Sequence, residues 1–515
     1  MPRAGATQGQ LAYDTEGPCL RQPRQQGGCL RPDGRVRRPT RSAEREMEAE
    51  EHSGQAGQPR VIGTMGALAI VVGSMLGIGI FLTPSQVASH LPSALGYLAV
   101  WVVGGLIAFS GAVAYAELGT RFPRAGGDYV FLREAFGPSV SFAAGWVLFI
   151  GVFTGSVATM AVPLAQYQLP VLLGPAVSFD PGQVLLSFGV IEVTWARAIG
   201  VLLILVLTGL NVLGTRLSAG TQVLLTVVPV LLFGLAAVLI FFLAEGAPPP
   251  AAAAELSEPV IGFGRAILAI YFAYAGWNAI AYVGGELKDP GRTVPRSLLG
   301  GTVIITLLYL IMAGAFLFVL GIDGLPQAFE AGTATAQALG GGWVAYGVTL
   351  IIALALLGSL NATILAGGRV GWAMARAGAL SASVGRLHPR FATPHRTLAL
   401  QAAVALALVL TGTFELLLEL TSVAMLLMGA LTMIALFVIR RRDGREAPYQ
   451  ATLYPWLPLF YLLVSAVVIG AGLYRAVAGS DGWTLKSFYP LMGLAIFALT
   501  WALHRFVFVS HGPKA

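Results

Sequence analysis

The sequence predicts an all-α polytopic membrane protein with twelve transmembrane helices, and three observations support this fold class. Apolar segments of about 20 residues recur along the chain, which is the length that a helix needs to cross about 30 Å of hydrocarbon. Only 11% of the residues are charged, less than half of the share of about 25% found in soluble domains. The mean hydropathy is +0.75, so the chain as a whole is apolar.

The twelve predicted helices follow one another along the chain. They span residues 61–82, 93–119, 138–170, 198–215, 219–243, 261–285, 297–320, 343–377, 397–413, 417–439, 457–476 and 488–508. The third and the eighth are longer than a bilayer requires, and we expect them to tilt or to extend beyond it.

Basic residues indicate how these helices are oriented, because Lys and Arg collect in cytoplasmic loops near helix ends. If the N-terminus is cytoplasmic, all but four of the 32 Lys and Arg residues lie on the cytoplasmic side; the exceptions are Arg197, Arg265, Arg475 and Lys486. Both termini of this multi-pass protein are therefore predicted to be cytoplasmic. The Ala- and Gly-rich composition favours the inner (plasma) membrane of a bacterium. The net charge of +7 then reflects membrane sidedness, and no nucleic-acid partner is expected.

One membrane domain, at residues 61–509, is predicted between two short ends. Residues 1–60 carry too little apolar surface to fold, so we expect a disordered cytoplasmic tail or an extension from a misassigned start. Residues 510–515 form a short cytoplasmic C-terminus. Both cysteines, Cys19 and Cys29, lie in the tail, so neither a disulfide nor a Cys-based metal site is expected in the membrane domain.

Two of the predicted helices are interrupted near their middle. Residues 73–79 (GSMLGIG) interrupt helix 1, and residues 272–278 (FAYAGWN) interrupt helix 6 at a similar depth. Irregular backbone is tolerated inside a membrane only where it is buried in protein or lines a cavity. Paired interruptions in two halves of a chain are typical of secondary transporters with a midplane site. We therefore predict a five-plus-five inverted repeat with discontinuous helices 1 and 6, and with helices 11 and 12 outside it.

The interruptions also indicate what would bind there. The outer half of helix 1 would present free N–H groups and the positive end of a helix dipole, which suit a carboxylate. Gly73, Gly77 and Gly79 would let a ligand approach the main chain closely. The interruption of helix 6 frees carbonyl groups, which suit an ammonium group. Together these groups describe an α-amino acid; the alternative is that the glycines only permit close helix packing.

Several ordered blocks resemble the amino acid–polyamine–organocation family of permeases. They include both interruptions and the blocks at 114–119 (AYAELG), 122–129 (FPRAGGDY), 133–138 (REAFGP), 285–290 (GELKDP), 294–296 (VPR), 360–369 (LNATILAGGR) and 373–376 (AMAR). The resemblance covers residues 60–440 in detail and 441–508 by hydropathy alone. It implies a secondary active transporter that moves amino acids by alternating access.

The resemblance further implies which residues bind the amino acid. They surround the substrate largely with main-chain atoms, and they are Gly73, Ser74, Met75, Gly77, Ile78, Gly79, Phe272, Ala273, Tyr274 and Gly276. Phe272 resembles the aromatic gate over the substrate on the external side. The alternative for Phe272 is a side chain that faces lipid or the core.

The predicted pocket walls carry almost no charge. No Asp, Glu, Lys or Arg occurs at residues 137–179 or 266–285. Because ionisable residues within a membrane are costly and usually functional, their absence predicts a neutral substrate side chain. We expect neutral L-amino acids with small to medium or branched side chains. An amino acid exchanger, and a permease for cationic amino acids or polyamines, are the alternatives.

Helix 5 departs from the family pattern. Many relatives carry a Lys there, at the place where sodium-coupled proteins of similar fold hold Na⁺, and this chain has Thr226 or Pro229 instead. Thr226 and Ser359 are candidate Na⁺ ligands, since hard cations prefer oxygen. Na⁺ coupling, H⁺ coupling and uncoupled exchange are all open at this point, and no other cofactor or metal is expected.

Three charged residues near the predicted cytoplasmic helix ends are candidates for gating. Glu117, Glu286 and Arg369 would form ion pairs that hold the cytoplasmic gate closed. The alternative is a set of solvated helix ends, where an exposed ion pair contributes only about 0–1 kcal/mol.

Other classes of protein are disfavoured by the sequence. An enzyme would need a nucleophile, a metal cluster or paired carboxylates at membrane depth, and the apolar segments contain none of these. A membrane amino acid sensor or accessory subunit of the same fold is a remote alternative. The external loop 171–197 has no Cys, so no disulfide-linked partner subunit is expected. The predicted partners are the amino acid and the lipid bilayer.

Overall fold

A computed structural model describes residues 59–174, 179–188, 191–243, 259–328, 330–340, 342–411, 414–478 and 489–508, together with four two-residue strands nearer the N-terminus. The chain divides into two units, Met1–Gln58 and Pro59–Ala515. In the first unit two antiparallel strand pairs form, β1 (Tyr13–Asp14) with β2 (Gly17–Pro18) and β3 (Cys29–Leu30) with β4 (Val36–Arg37). The rest of the predicted tail, up to residue 58, and the predicted C-terminal segment 510–515 lie outside the described residues.

The second unit is helical apart from one hairpin. Its first helices are α1 (Thr64–Met75), α2 (Gly79–His90), α3 (Ala94–Arg121), α4 (Asp128–Phe136), α5 (Pro138–Leu173), α6 (Trp195–Leu213) and α7 (Thr215–Leu243). Between α5 and α6, β5 (Val184–Phe188) pairs antiparallel with β6 (Ile191–Thr194). The remaining helices are α8 (Pro259–Ala273), α9 (Ala279–Tyr282), α10 (Pro290–Gly324), α11 (Ala331–Gly340), α12 (Gly342–Arg376), α13 (His395–Thr411), α14 (Phe414–Asp443), α15 (Trp456–Ala478) and α16 (Tyr489–Leu503).

Eight helical segments of the described residues are long and apolar enough to cross a membrane, judged by length and composition. They are Thr64–His90, Ala94–Arg121, Pro138–Leu173, Trp195–Leu213, Thr215–Phe242, Pro290–Gln327, Gly342–Arg376 and Thr421–Asp443. Shorter apolar helices coincide with predicted helices 6, 9 and 11, at Gly262–Ala273, His395–Thr411 and Trp456–Gly470. The chain is thus an all-α polytopic membrane protein, and its twelve-helix inverted repeat stays a prediction.

Both interruptions occur within the predicted segments. α1 ends at Met75, where Leu76 leaves the helical region with φ −73° and ψ 68°, and α2 begins at Gly79. α8 ends at Ala273, and α9 begins six residues later. Between them Gly276 has φ 97°, a left-handed conformation that glycine adopts without a steric cost.

Two parts of α5 are wound as π-helix, at Val147–Thr154 and Leu164–Gln168. Such turns are rare in proteins and are found frequently at functional sites. The first of them carries Leu148, Val152 and Phe153, which line the central cavity of the unit.

α10 packs against α1, α3 and α7. Small residues permit this close packing: a Cβ on Gly105 of α3 would lie 2.3 Å from Thr306 Cγ2, and one on Gly301 of α10 would lie 2.6 Å from Val71 Cγ1. This packing brings the middle of α10 beside the interruption in the first span.

Candidate functional site

The two interruptions are in direct contact with each other. A Cβ on Gly276 would lie 2.7 Å from the carbonyl O of Ser74, and one on Gly79 would lie 2.5 Å from Cα of Ala273. Glycine is therefore the residue that fits both positions without a displacement of the opposite main chain. Beside this contact lies a cavity lined by residues of both interruptions and of α5, α12, α14 and α15.

Most of the predicted substrate-binding residues line this cavity, namely Ser74, Met75, Gly77, Ile78, Gly79, Phe272, Ala273 and Gly276. The other two, Gly73 and Tyr274, do not line the cavity and pack against neighbouring helices, so their part in binding stays a prediction. Gly73 faces α7, where a Cβ would lie 2.2 Å from Gln222 Nε2. Tyr274 is buried, and its hydroxyl donates to the carbonyl O of Trp101 at 2.9 Å.

Both free main-chain N–H donors and free main-chain carbonyl acceptors occur at the interruptions. The N–H groups of Gly79 and Ile80, the first in α2, have no acceptor among the described residues. With the positive end of the helix dipole they form a place for an anion. The carbonyl groups of Tyr274 and Ala275 have no donor in the described part of the chain. These carbonyls can accept hydrogen bonds from a cationic or neutral N–H donor.

Tyr309 of α10 connects the two half-helices that end at the interruptions. Its hydroxyl contacts the carbonyl O of Met75, the last residue of α1. The same hydroxyl lies 3.2 Å from the carbonyl O of Ala273, the last residue of α8. Sequence reasoning missed Tyr309 because it lies mid-helix, away from any glycine or charged residue.

The side walls of the cavity are mainly apolar. They include Leu148, Val152, Phe153, Met160, Ala366, Met425 and Met428. One polar group among them is available: the hydroxyl of Ser156 is buried and has no partner among the described residues. A bound molecule with a hydrogen-bonding side chain would satisfy it.

An aromatic wall also faces the cavity and includes a residue of predicted helix 11, which lies outside the predicted inverted repeat. Tyr271 and Trp277 come from the region of the helix 6 interruption, and Tyr461 comes from α15. The hydroxyls of Tyr271 and Tyr461 are 2.7 Å apart and share a hydrogen bond. Close packing against Gly429 of α14, where a Cβ would lie 2.1 Å from Tyr461 Oη, places Tyr461 there.

Asp128 is an acidic residue of the cavity lining that sequence reasoning missed as a site residue. It is the first residue of α4 and is 1% exposed. Its Oδ2 accepts a hydrogen bond from the Tyr282 hydroxyl, and its Oδ1 accepts one from Thr432 Oγ1 at 2.9 Å. Burial raises the pKa of Asp128 to about 6, while the hydrogen bonds from these hydroxyls act in the opposite direction. The signal in the sequence was its place in the block at 122–129.

The two candidate Na⁺ ligands lie at different levels of α1. Thr226 Oγ1 donates to the carbonyl O of Ala69 at 3.1 Å and accepts from Gln222 Nε2 at 3.1 Å. Ser359 Oγ donates to the carbonyl O of Ser74 at 3.1 Å. The two carbonyls are about 7.5 Å apart along a helix of ordinary rise. Among the described residues there is also no group of three or more His, Cys, Asp or Glu side chains arranged to hold a metal ion.

Uncharged side chains continue from Thr226 toward α6. Asn361 Nδ2 donates to Gln222 Oε1 at 2.8 Å, and Asn211 Nδ2 donates to Asn361 Oδ1 at 2.9 Å. Ser218 Oγ donates to Asn211 Oδ1 at 2.8 Å. The part of α7 that departs from the family pattern therefore lies in a buried, neutral hydrogen-bond network that joins α6, α7, α12 and α1.

Glu286 and Arg369 form an ion pair at the end of the unit where α1 begins and α3 ends, which we call the basic end. Arg369 Nε donates to Glu286 Oε1 at 2.9 Å, and both side chains are 0% exposed. Arg369 also donates to Thr215 Oγ1 at 3.0 Å. The main chain of Glu286 accepts from the N–H groups of Val61 and Ile62, so this pair connects α12 to the start of the first span.

Glu117 is the centre of a second buried cluster at the basic end. Arg440 Nε donates to it at 2.9 Å, Arg121 Nη2 at 2.8 Å, and the N–H of Ala451 at 2.8 Å. These contacts join α3 to the end of α14 and to the segment before α15. The alternative of solvated helix ends is wrong for Glu117, Glu286 and Arg369, because all three are fully buried.

Comparisons with known proteins show which sequences this chain resembles. A family model described as "Amino acid permease" matches residues 62–499. The serine/threonine exchanger SteT of Bacillus subtilis is 30% identical over 461 residues, which cover 87% of this chain and 98% of that protein. The large neutral amino acids transporter small subunit 2 of Rattus norvegicus is 28% identical over 84% of this chain and 80% of its own length. The Asc-type amino acid transporter 1 of Mus musculus is 27% identical over 86% and 84%.

Proposed function

Because the chain belongs to the amino acid permease family, we propose that it carries amino acids across a membrane by alternating access. We propose further that its substrates are neutral L-amino acids and that it works as an exchanger. The observation that carries the proposal is the contact between the two interruptions, which places free N–H groups and free carbonyl groups beside one cavity.

The main chain would recognise the part that all α-amino acids share. The carboxylate would accept hydrogen bonds from the N–H groups of Gly79 and Ile80, aided by the dipole of α2. The ammonium group would donate to the carbonyl of Ala275, which lines the cavity, since Tyr309 already contacts that of Ala273. Phe272, which lines the cavity, would close over the substrate from the external side.

The side walls support a neutral substrate side chain. They are mainly apolar, and the free hydroxyl of Ser156 would bind a hydroxyl or leave room for a small apolar group. The names of the similar proteins, a serine/threonine exchanger and a transporter of large neutral amino acids, point to the same class of substrate. Transporter relatives also argue against an enzyme.

Exchange without a coupling ion is supported by the network around Thr226. A Na⁺ ion needs several oxygen ligands free to coordinate it. Thr226 and Ser359 instead donate their hydroxyl protons to main-chain carbonyls, and Gln222 and Asn361 hold each other. In a neutral, hydrogen-bonded network of this kind, α7 offers no free ligands for a coupling Na⁺ ion and no free group for a coupling proton.

A permease for cationic amino acids or polyamines is the second candidate, and Asp128 is the observation that favours it. A carboxylate in the cavity lining would attract an ammonium or guanidinium side chain. We favour the neutral class because both carboxylate oxygens already accept hydrogen bonds from protein hydroxyls.

The remaining parts of the proposal concern gating and membrane placement. The ion pairs of Glu286 with Arg369 and of Glu117 with Arg440 would hold the basic end closed and would open in each cycle. We propose that this end faces the cytoplasm, that the protein resides in the plasma membrane, and that it works without a disulfide-linked partner. The five-plus-five inverted repeat would relate the two interruptions.

The test is uptake of radiolabelled serine and leucine into proteoliposomes of the purified full-length protein. We expect uptake only when unlabelled neutral amino acid is present inside, and no change when Na⁺ is replaced by choline. Unlabelled alanine or leucine should compete better than arginine or putrescine. Uptake driven by an imposed Na⁺ or H⁺ gradient with an empty interior would contradict exchange, and stronger competition by arginine would select the second candidate.

A further inference from the structure

The carboxyl group of Asp128 lies at the basic end of the cavity, hydrogen-bonded to the segment that follows the helix 6 interruption and to α14. Tyr282, which donates to it, follows the helix 6 interruption and in turn accepts from Asn278 Nδ2 at 3.2 Å. Thr432, its other donor, belongs to α14, the helix whose last turn carries Arg440 of the buried ion cluster. The N–H of Gly126 also donates to the carbonyl O of Tyr282 at 2.9 Å. A change in the protonation of this carboxyl group therefore alters hydrogen bonds to the helix 6 interruption and to α14 at the same time.

No cation in the described structure contacts this carboxyl group. The helices packed against α4 are α5, α12 and α14, and α5 contains no Asp, Glu, Lys or Arg. On α12, Arg369 is bonded to Glu286 and Arg376 packs over the ring of Trp372. On α14, Arg440 is bonded to Glu117.

The other charged groups nearby are also engaged elsewhere, and the uncharged titratable ones are tyrosines. On α4 itself, Glu134 is bonded to Arg124, and Arg133 makes no hydrogen bond to Asp128 among those described. The tyrosines that face the carboxyl group from α3, α8, α9 and α15 are Tyr115, Tyr271, Tyr282 and Tyr461. Burial without a cation favours the neutral, protonated form of a carboxyl group, and the hydroxyl donors act in the opposite direction.

We propose that Asp128 is a proton-binding site: its protonated form stabilises the conformation in which the basic end is closed, and its ionised form favours the conformation in which water reaches it from that end. The inference rests on the alternating access proposed above. A hydrated Asp has a pKa of about 3.9, so the closed conformation, with a pKa of about 6, binds the proton more tightly. By linkage, loss of the proton then shifts the population toward the open conformation.

The test uses the fact that both cysteines of the chain lie in the N-terminal tail. In the full-length protein carrying Cys19→Ser and Cys29→Ser, Ala366→Cys supplies a reporter. Ala366 lines the cavity, is 1% exposed, and lies one turn before Arg369 of the basic end. The labelling rate of this cysteine by a membrane-impermeant maleimide reports opening, and the same measurement is made after Asp128→Asn. At each pH the labelling rate of the protein with Asp128 is divided by the rate after Asp128→Asn. This ratio cancels the ordinary pH dependence of the reactivity of the thiol.

We expect this ratio to rise about tenfold from about pH 5 to about pH 7.5, because the ionised form is available only to the unsubstituted carboxyl group. Asp443→Asn, which neutralises an exposed carboxylate at the same end, should leave the labelling rate equal to that of the parent at every pH. A second pair of variants, Tyr282→Phe and Thr432→Val, each removes one donor to the carboxylate and should move the midpoint to higher pH.

A ratio that stays constant across this pH range, for Asp128 itself and for each variant of the second pair, would overturn the proposal. A constant ratio with protection by arginine in the parent alone would also overturn it and would make Asp128 a subsite for a cationic side chain. The labelling needs no substrate, so it separates the two hypotheses. Loss of the pH response with exchange intact removes only the proton site, and absent exchange with an intact pH response removes only the proposed substrate.

Discussion

At Gly276 the backbone has φ 97°, and a Cβ there would lie 2.7 Å from the carbonyl O of Ser74. Two separate requirements therefore meet in one residue, a left-handed conformation and close contact with another main chain. Gly378 has a similar φ of 81°, but nothing lies within 4 Å of the position where its Cβ would be. Substitutions at Gly276 and Gly378 therefore distinguish the free-energy cost of the left-handed conformation from the cost of the close contact.

We expect Gly276→Ala to abolish amino acid exchange and to lower the thermal stability of the purified protein. The left-handed conformation alone costs about 1–2 kcal/mol with a Cβ, and displacement of Ser74 adds to this. Gly378→Ala should lose only the conformational part and keep its exchange rate. Both are measured by exchange in proteoliposomes and by the apparent melting temperature in detergent. Equal exchange in the two variants would show that the contact with Ser74 is not needed.

The elements of the site are linked by α10, which supplies one hydroxyl group to two half-helices. Tyr309 contacts the last carbonyl of α1 and lies 3.2 Å from the last carbonyl of α8. Helix ends leave carbonyl groups without partners, and in a membrane no solvent replaces them. The hydroxyl therefore contributes to keeping both half-helices ended where they are.

Tyr309→Phe should destabilise the protein by about 1–3 kcal/mol, because two buried carbonyls lose their partner. It should also slow exchange, since the main-chain geometry at both interruptions would loosen. Tyr97→Phe is the matched control: its hydroxyl on α3 is buried without a partner among the described residues, so its removal should change little. If the two variants melt at the same temperature, the hydroxyl of Tyr309 does not hold the interruptions.

The sequence predicts the features whose signals are local in the chain, and it does not predict those that depend on contacts between distant segments. The interruptions were located because glycines stand out within long apolar segments. Asp128 was missed because it lies between two apolar spans. It is buried where the preceding loop pairs with the residue that follows α9, Ala125 opposite Val283. Tyr461 was missed because hydropathy gives a helix its span but not its neighbours. Burial of Glu117, likewise, depends on Arg440 from a helix more than 300 residues away in sequence.

The whole molecule is asymmetric in charge. Buried ion clusters occur at the basic end, around Glu117 and Glu286. At the other end of the unit, the buried Glu330 has hydrogen bonds from Thr333 and from the N–H of Gly332. Burial raises the pKa of Glu330 above its ordinary value, and those hydrogen bonds act in the opposite direction. That the basic end faces the cytoplasm stays a prediction from the Lys and Arg residues of the loops.

Cysteine labelling in intact cells tests this orientation. In the protein carrying Cys19→Ser and Cys29→Ser, Ser187→Cys in the exposed β5–β6 hairpin should react with an impermeant maleimide added outside. Ser381→Cys, in the exposed segment after α12, should react only after the membrane is permeabilised. The reverse pattern would place the basic end outside and would contradict the predicted topology.

The contact between two stretches of main chain also bears on how such a protein diversifies during evolution. Backbone atoms are the same whatever side chain a residue carries, so substitutions away from the closely packed glycines would leave the proposed main-chain recognition in place. In the proposed binding mode the side chains of α5, α12, α14 and α15 would contact only the variable part of an amino acid, so these walls would be free to change. Selection can therefore alter which amino acid is carried, one wall residue at a time, while the common recognition persists through every intermediate sequence.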